Sequence, residues 1–178
     1  MNDPECSRIE YCLRQLADAE AVNAAILAQY QALRDDPALE RSHWFGGRYE
    51  NVYVPRQRLP ALEPVLRTAV EGAADFLRQP RLALSVGFWM NEMGPGHVTL
   101  PHTHDEDDEL VSGVYYLRVP QRSGELLLYQ GPATTRVTPR EGLFVFFPPQ
   151  VRHEVTENCS GELRLSIGMN FGVRRDAD

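Results

Sequence analysis

Lysine is absent from the 178 residues, and all 18 basic side chains are arginine. The chain therefore has no Schiff-base lysine, no pyridoxal-phosphate anchor and no phosphate-cradling P-loop lysine; any anion it binds is held by arginine. Basic charge is scarce as well. Twenty-five acidic residues give a net charge of −7, and no basic stripe stands out, which argues against nucleic acid as a partner. No apolar run approaches the length of a membrane span, so the sequence offers no membrane partner. Cysteine is limited to Cys6, Cys12 and Cys159, an odd and sparse set that does not form a disulfide framework. The opening residues lack the basic and apolar regions of a signal peptide, and the expectation is a reduced, cytoplasmic protein.

What is present fits one globular domain, residues 1–178, with no repeat, low-complexity tract or linker. From Pro4 to about Leu33 apolar residues recur at helical spacing, with Asp3 as a candidate N-cap. Residues 34–47 read as polar loop, residues 51–54 as a short strand, and residues 59–79 as a second helix with Pro60 near its start. Residues 1–80 are thus expected to be largely helical and to pack on the rest. After Pro80 the pattern changes to short runs rich in Val, Tyr and Phe, separated by Gly, Pro, Asn and Ser. Strands are expected at 82–91, 98–102, 111–119, 125–129, 135–139, 143–147, 153–155 and 163–171. That pattern predicts a mainly β fold with N-terminal helices, its core (residues 81–173) a double-sheet jelly roll or a barrel.

Three of the five histidines stand out. His102 and His104 are two apart, so in a strand both would face one side, and His153 follows the Phe147-Pro148-Pro149 turn, where a strand start would aim it inward. The three are candidate ligands of one metal ion. The acidic run Asp105 to Glu109 reads mainly as a solvated loop, because five adjacent like charges are not buried together. Two histidines and one carboxylate form the usual non-haem Fe(II) facial triad, so Glu106 or Glu109 is a candidate carboxylate ligand. Arg164 sits in an otherwise apolar strand and needs an anion. With Ser166 on the same strand face, its guanidinium fork suits the distal carboxylate of a dicarboxylic cosubstrate. His97 reads as a loop histidine, and His43-Trp44-Phe45 as a loop beside Gly46-Gly47 that could serve as a lid. Tyr115 and Tyr116 read as a strand pair with one ring inside and one outside.

From about Phe88 to Phe171 the chain resembles bacterial 2-oxoglutarate- and Fe(II)-dependent oxygenases. The matching pieces include Trp89-Met90-Asn91, His102-Thr103-His104, the run from Ser112 to Leu117, His153 and Arg164-Leu165-Ser166. Pro101-His102-Thr103 and His153-Glu154-Val155 are also similar to the aspartyl/asparaginyl β-hydroxylase branch, in which two histidines bind iron without a carboxylate. The resemblance implies a double-stranded β-helix (jelly roll) core. It implies Fe(II), 2-oxoglutarate and O2 as cofactors, with His102 and His153 as the firmest ligands. Arg164 and Ser166 would clamp 2-oxoglutarate, with Tyr116 and Asn91 as further partners. Most relatives carry Asp or Glu where this chain has His104, so the third ligand is that imidazole, a nearby carboxylate or water.

The implied reaction is hydroxylation of an unactivated C–H bond in a small molecule or amino-acid-like substrate, with release of succinate and CO2. A homodimer is left open. The rival reading is a cupin-like metalloprotein, in which three histidines and Glu109 bind the metal and 2-oxoglutarate has no part. Gly96, His102, His104, Glu109, Gly142 and His153 fit that pattern. Tyr116 and Gln150 stand where its glycines are expected.

Overall fold

The computed structural model describes residues 9–80, 82–104 and 108–174. Two antiparallel sheets face each other. The larger has seven strands in the order β1-β9-β6-β11-β4-β3-β2, and the smaller has four in the order β5-β10-β7-β8. In chain order these are β1 (Cys12–Gln15), β2 (Glu40–Phe45), β3 (Arg48–Tyr53), β4 (Leu84–Met93), β5 (Thr99–His102), β6 (Val111–Arg118), β7 (Leu126–Gln130), β8 (Ala133–Val137), β9 (Leu143–Phe147), β10 (Arg152–Val155) and β11 (Arg164–Val173). All eight strands expected after Pro80 are present, and the arrangement is the double-stranded β-helix.

The large sheet is covered on both faces, and the two-residue period of its strands divides the work. On β11, Leu165, Ile167, Met169 and Phe171 pack toward the helices α1 (Ala19–Leu33) and α2 (Glu63–Phe76). The alternate residues Arg164, Ser166 and Gly168 line the space between the sheets. On β6, Tyr115 belongs to the helix side, where its hydroxyl donates to Asn23 Oδ1 at 2.5 Å. Tyr116 lies on the sandwich side. Both rings are fully buried, so the expected split of one inside and one outside is wrong. Because both faces of the sheet are covered, β9 reads as the continuous apolar run Leu-Phe-Val-Phe-Phe.

The first 80 residues differ in part from expectation. They contain the two helices and, in β3, the short strand expected at 51–54, but β1 and β2 were not expected, and all three strands extend the large sheet. Ile9, Leu13 and Leu16 have helical spacing, yet Leu13 is exposed and Cys12–Gln15 pairs antiparallel with β9. The helix begins only at Ala19, after Asp18 turns the chain at φ 53°. Asp3 and Cys6 lie outside the described residues; Cys12 and Cys159 are free thiols. The supposed loop at His43-Trp44-Phe45 is the end of β2, joined to β3 through Gly46 and Gly47, both at positive φ. This hairpin pairs with β4 at Asn51 and Val52.

Gly168 is required by close approach rather than by backbone angle. A methyl group there would overlap the indole of Trp89, which lies across β11. Gly168→Ala should therefore cost about 1–3 kcal/mol of stability and shift the tryptophan emission as Trp89 is pushed aside. Urea denaturation followed by fluorescence measures both; an unchanged midpoint and spectrum would mean that the ring does not rest on this residue.

Candidate active site

The antiparallel pairing of β5 with β10 sets His102 directly opposite His153. Their ring centroids are 4.2 Å apart. His104 arrives differently from the expectation that one strand carries both members of the pair. The strand ends at His102, and the backbone N–H of His104 donates to Pro149 O at 2.9 Å, which ties it to the turn before β10. Its ring lies 4.9 Å from that of His102 and 5.1 Å from that of His153. One nitrogen from each of the three falls within 4.8 Å of the others.

The chemistry of this donor set suits a divalent transition metal. His102 Nδ1 donates to Leu100 O at 2.8 Å and His153 Nδ1 to Val151 O at 3.0 Å. Each carbonyl fixes the tautomer that leaves the Nε2 lone pair available, the usual outer support of a ligating imidazole. His153 is buried, and that burial, with the two neighbouring imidazoles, pushes its pKa down to about 3; the Val151 carbonyl opposes the shift. A histidine that stays neutral is ready to coordinate.

The carboxylate candidates fare differently. Glu106 lies outside the described residues. Glu109 is not in the donor group; its Oε1 accepts from Asn170 Nδ2 at 3.5 Å. Asn170 in turn accepts from Ser112 on β6, so the register that starts β6 carries Glu109 to Asn170 rather than to the histidines. A three-histidine, one-glutamate arrangement through Glu109 therefore lacks its fourth ligand, which removes the main support of the cupin-like reading.

The four residues expected around the cosubstrate are cross-strand neighbours. Ser166 on β11 is paired with Tyr116 on β6 on one side and with Asn91 on β4 on the other. Arg164 lies two residues from Ser166 on the same face. All four line one cavity with the three histidines, and its volume is about 60 Å³.

Arg164 is 2% exposed, and its Nη1 donates to Ser123 O at 3.0 Å and Gly124 O at 2.9 Å. Its Nε has no partner. Among the described residues no carboxylate pairs with it, so the intramolecular glutamate expected of an ordinary buried arginine is missing. The guanidinium carbon lies 5.2 Å from the centroid of the Tyr116 ring. Burial raises the Tyr116 pKa and the neighbouring cation lowers it, with burial winning. The hydroxyl stays protonated, and it too has no hydrogen-bond partner. A buried cation and an unpartnered phenol beside it are the polar orphans that a carboxylate would satisfy.

Asn91 is committed in part, donating through Nδ2 to Asn51 Oδ1 at 3.3 Å. His97 is a loop histidine as expected, its Nδ1 accepting from the Gly94 N–H at 2.9 Å. Sequence reasoning did not assign a site role to Trp89, which forms the cavity wall and sits 5.5 Å from the ring of His104. Its two-residue offset from Asn91 on β4 was the available signal.

Residues 88–172 match the family model of the 2OG-Fe(II) oxygenase superfamily. The match is to the superfamily and does not single out the aspartyl/asparaginyl branch. The fold is similar to that of a Pseudomonas putida prolyl-4-hydroxylase, with 21% identity, a TM-score of 0.72 and 95% of each chain covered. It is also similar to a Trichoplax adhaerens prolyl hydroxylase, with 16% identity, a TM-score of 0.67 and 92% of this chain and 83% of that one covered. A third likeness is to the epimerase SnoN from nogalamycin biosynthesis, with 18% identity, a TM-score of 0.69 and 92% and 78% covered. A search of the curated proteins finds no match. Among the described residues no helix is long and apolar enough to cross a membrane.

The depressed pKa of His153 has a consequence for stability. Unfolded chains take up a proton on this residue near pH 6.5, whereas the folded protein refuses it until about pH 3. Unfolding is therefore coupled to proton uptake, and the metal-free protein should lose stability as the pH falls from 6.5 toward 3. In His153→Gln that part of the acid loss should disappear, as read from urea midpoints across the pH range.

Proposed function

We propose that the chain is a member of the 2OG-Fe(II) oxygenase superfamily, whose model residues 88–172 match, and that with Fe(II), 2-oxoglutarate and O2 as cofactors it acts as a single-domain dioxygenase that hydroxylates an unactivated C–H bond of a small molecule or amino-acid-like substrate. The observation that carries this reading is Arg164, a buried cation without a carboxylate partner at one end of a cavity that three histidines share. When bound, the iron with 2-oxoglutarate and O2 supplies the oxidising power, and the cosubstrate leaves as succinate and CO2.

The chain's own residues divide the remaining tasks. His102, His104 and His153 hold the metal through nitrogens whose tautomers are preset by Leu100 O and Val151 O in two of the three. Arg164 neutralises the distal carboxylate of 2-oxoglutarate, and the Ser166 and Tyr116 hydroxyls complete its hydrogen bonding. Phe147, packed edge-on against His153 at 4.8 Å, and Val155 keep water from the ligand side.

Trp89 lines this cavity and the neighbouring one beneath the β2–β3 hairpin, so its emission should report what binds here.

Anaerobic titration tests the assignment. Fe(II) and 2-oxoglutarate together should produce a visible charge-transfer band that neither gives alone, and their binding should change the tryptophan emission. His153→Ala should abolish the band through loss of metal. Arg164→Gln should retain metal binding but weaken 2-oxoglutarate by about tenfold to a hundredfold, the worth of a charged hydrogen-bonded contact. Metal binding indifferent to 2-oxoglutarate would favour a cupin-like module.

A further inference from the structure

Next to the histidines, a second cavity of about 260 Å³ lies under the β2–β3 hairpin. It shares Trp89, Asn91, Thr99, His102 and His104 with the first cavity, so a molecule seated there lies alongside the candidate metal ligands. Its walls are largely aromatic. Trp44, 64% exposed, stands at the rim with Tyr49 edge-on to it at 4.7 Å, while Trp89 forms the inner wall. Large apolar side chains left open to water around a cavity mark a binding surface rather than a core.

Charge is balanced here. Glu50 is the one carboxylate among the described residues of the lining. It is buried, accepts a hydrogen bond from the Thr99 hydroxyl, and lies 3.8 Å from Arg48. Among the described residues of these walls a charged ligand would find no unpaired counter-charge, and it would lose its hydration.

One polar group is left to offer. His43 stands inside a strand at φ 59°, a conformation that a residue with a Cβ adopts at a cost. Its Nδ1 lies 3.0 Å from Asn51 Nδ2 and 2.7 Å from Ser42 Oγ. Asn51 Oδ1 is already taken by Asn91 Nδ2, so the Asn51 amide must donate to His43, and Nδ1 is an acceptor. With Nδ1 accepting, the ring N–H is on Nε2, which has no other assigned partner. The row His43, Asn51, Asn91 thus links the hairpin to the wall of the cosubstrate cavity.

We propose that the hairpin cavity seats the molecule to be oxidised, and that this molecule is uncharged, with a flat apolar body held between Trp44 and Trp89 and an acceptor oxygen bonded to the Nε2–H of His43. The assignment rests on the oxygenase reading for what happens next to the bound molecule, but the recognition itself needs neither metal nor cosubstrate.

The test uses the metal-free full chain and three naphthalene probes of similar size: 2-acetylnaphthalene, 2-naphthoate and 2-(aminomethyl)naphthalene. Binding is followed by quenching of tryptophan emission. The neutral ketone should bind at least about tenfold more tightly than the carboxylate or the amine. His43→Gly, which suits the positive φ and removes the donor, should weaken the ketone about tenfold, and His43→Asn, which tolerates that φ and keeps an amide donor, should recover part of the loss. Trp44→Ala, a change at an exposed position, should weaken it with Trp89 still reporting. Absence of ketone binding, equal binding of the three probes, or ketone binding unchanged in both His43→Gly and Trp44→Ala overturns the proposal. Its failure leaves the Fe(II) and 2-oxoglutarate titration untouched, and success here with failure there would mark the chain as a ligand-binding module.

Discussion

A guanidinium buried beside a phenol, bonded to two backbone carbonyls and paired with no carboxylate among the described residues, is the constraint on which the rest of the molecule turns. Taking such a charge out of water costs several kcal/mol even after relaxation. Two carbonyls, Ser123 O and Gly124 O, offset part of that cost. Gly124 is there because the carbonyl can be presented only at φ 92°, against the backbone of Thr156, where no side chain fits. The turn before β7 is thus shaped around Arg164, and the fold keeps a buried cation whose Nε has no partner.

The same sheet that buries Arg164 also organises everything near it. Because helices cover one face of β11 and the second sheet covers the other, consecutive residues have opposite duties: Leu165 and Ile167 support the core, Arg164 and Ser166 face the cavity. A register slip of one residue would exchange the two sets, so core packing and site geometry are specified by the same pairing. The opposing sheet contributes two of the histidines through the pairing of His102 with His153. These two histidines and Arg164 are therefore carried by different sheets, and their separation is set by how the sandwich closes.

Much of this was legible in the chain alone, for physical reasons that can be named. The strands after Pro80 announce themselves by β-branched and aromatic runs between turn residues, and Arg164 by standing charged within an apolar strand. The unlike neighbours of His153, two prolines before it and a strand after, were enough to aim it inward. The misses are non-local. Cys12–Gln15 becomes a strand because β9 offers an edge 130 residues away, which helical spacing at Ile9, Leu13 and Leu16 could not reveal. Glu109 follows the histidines closely in sequence, yet the start of β6 carries it to Asn170. His43 looked like loop because nothing in its neighbours signals a strand residue at positive φ.

The central claim is that Arg164 waits for a distal carboxylate, and the most direct measurement compares two cosubstrates that differ only there. Anaerobic calorimetry on the Fe(II)-loaded protein with 2-oxoglutarate and with 2-oxopentanoate keeps the keto acid and the five-carbon chain constant. The expected result is a loss of about tenfold to a hundredfold for 2-oxopentanoate, in line with a charged hydrogen-bonded contact in a buried site. Equal affinities for the two acids would contradict the account.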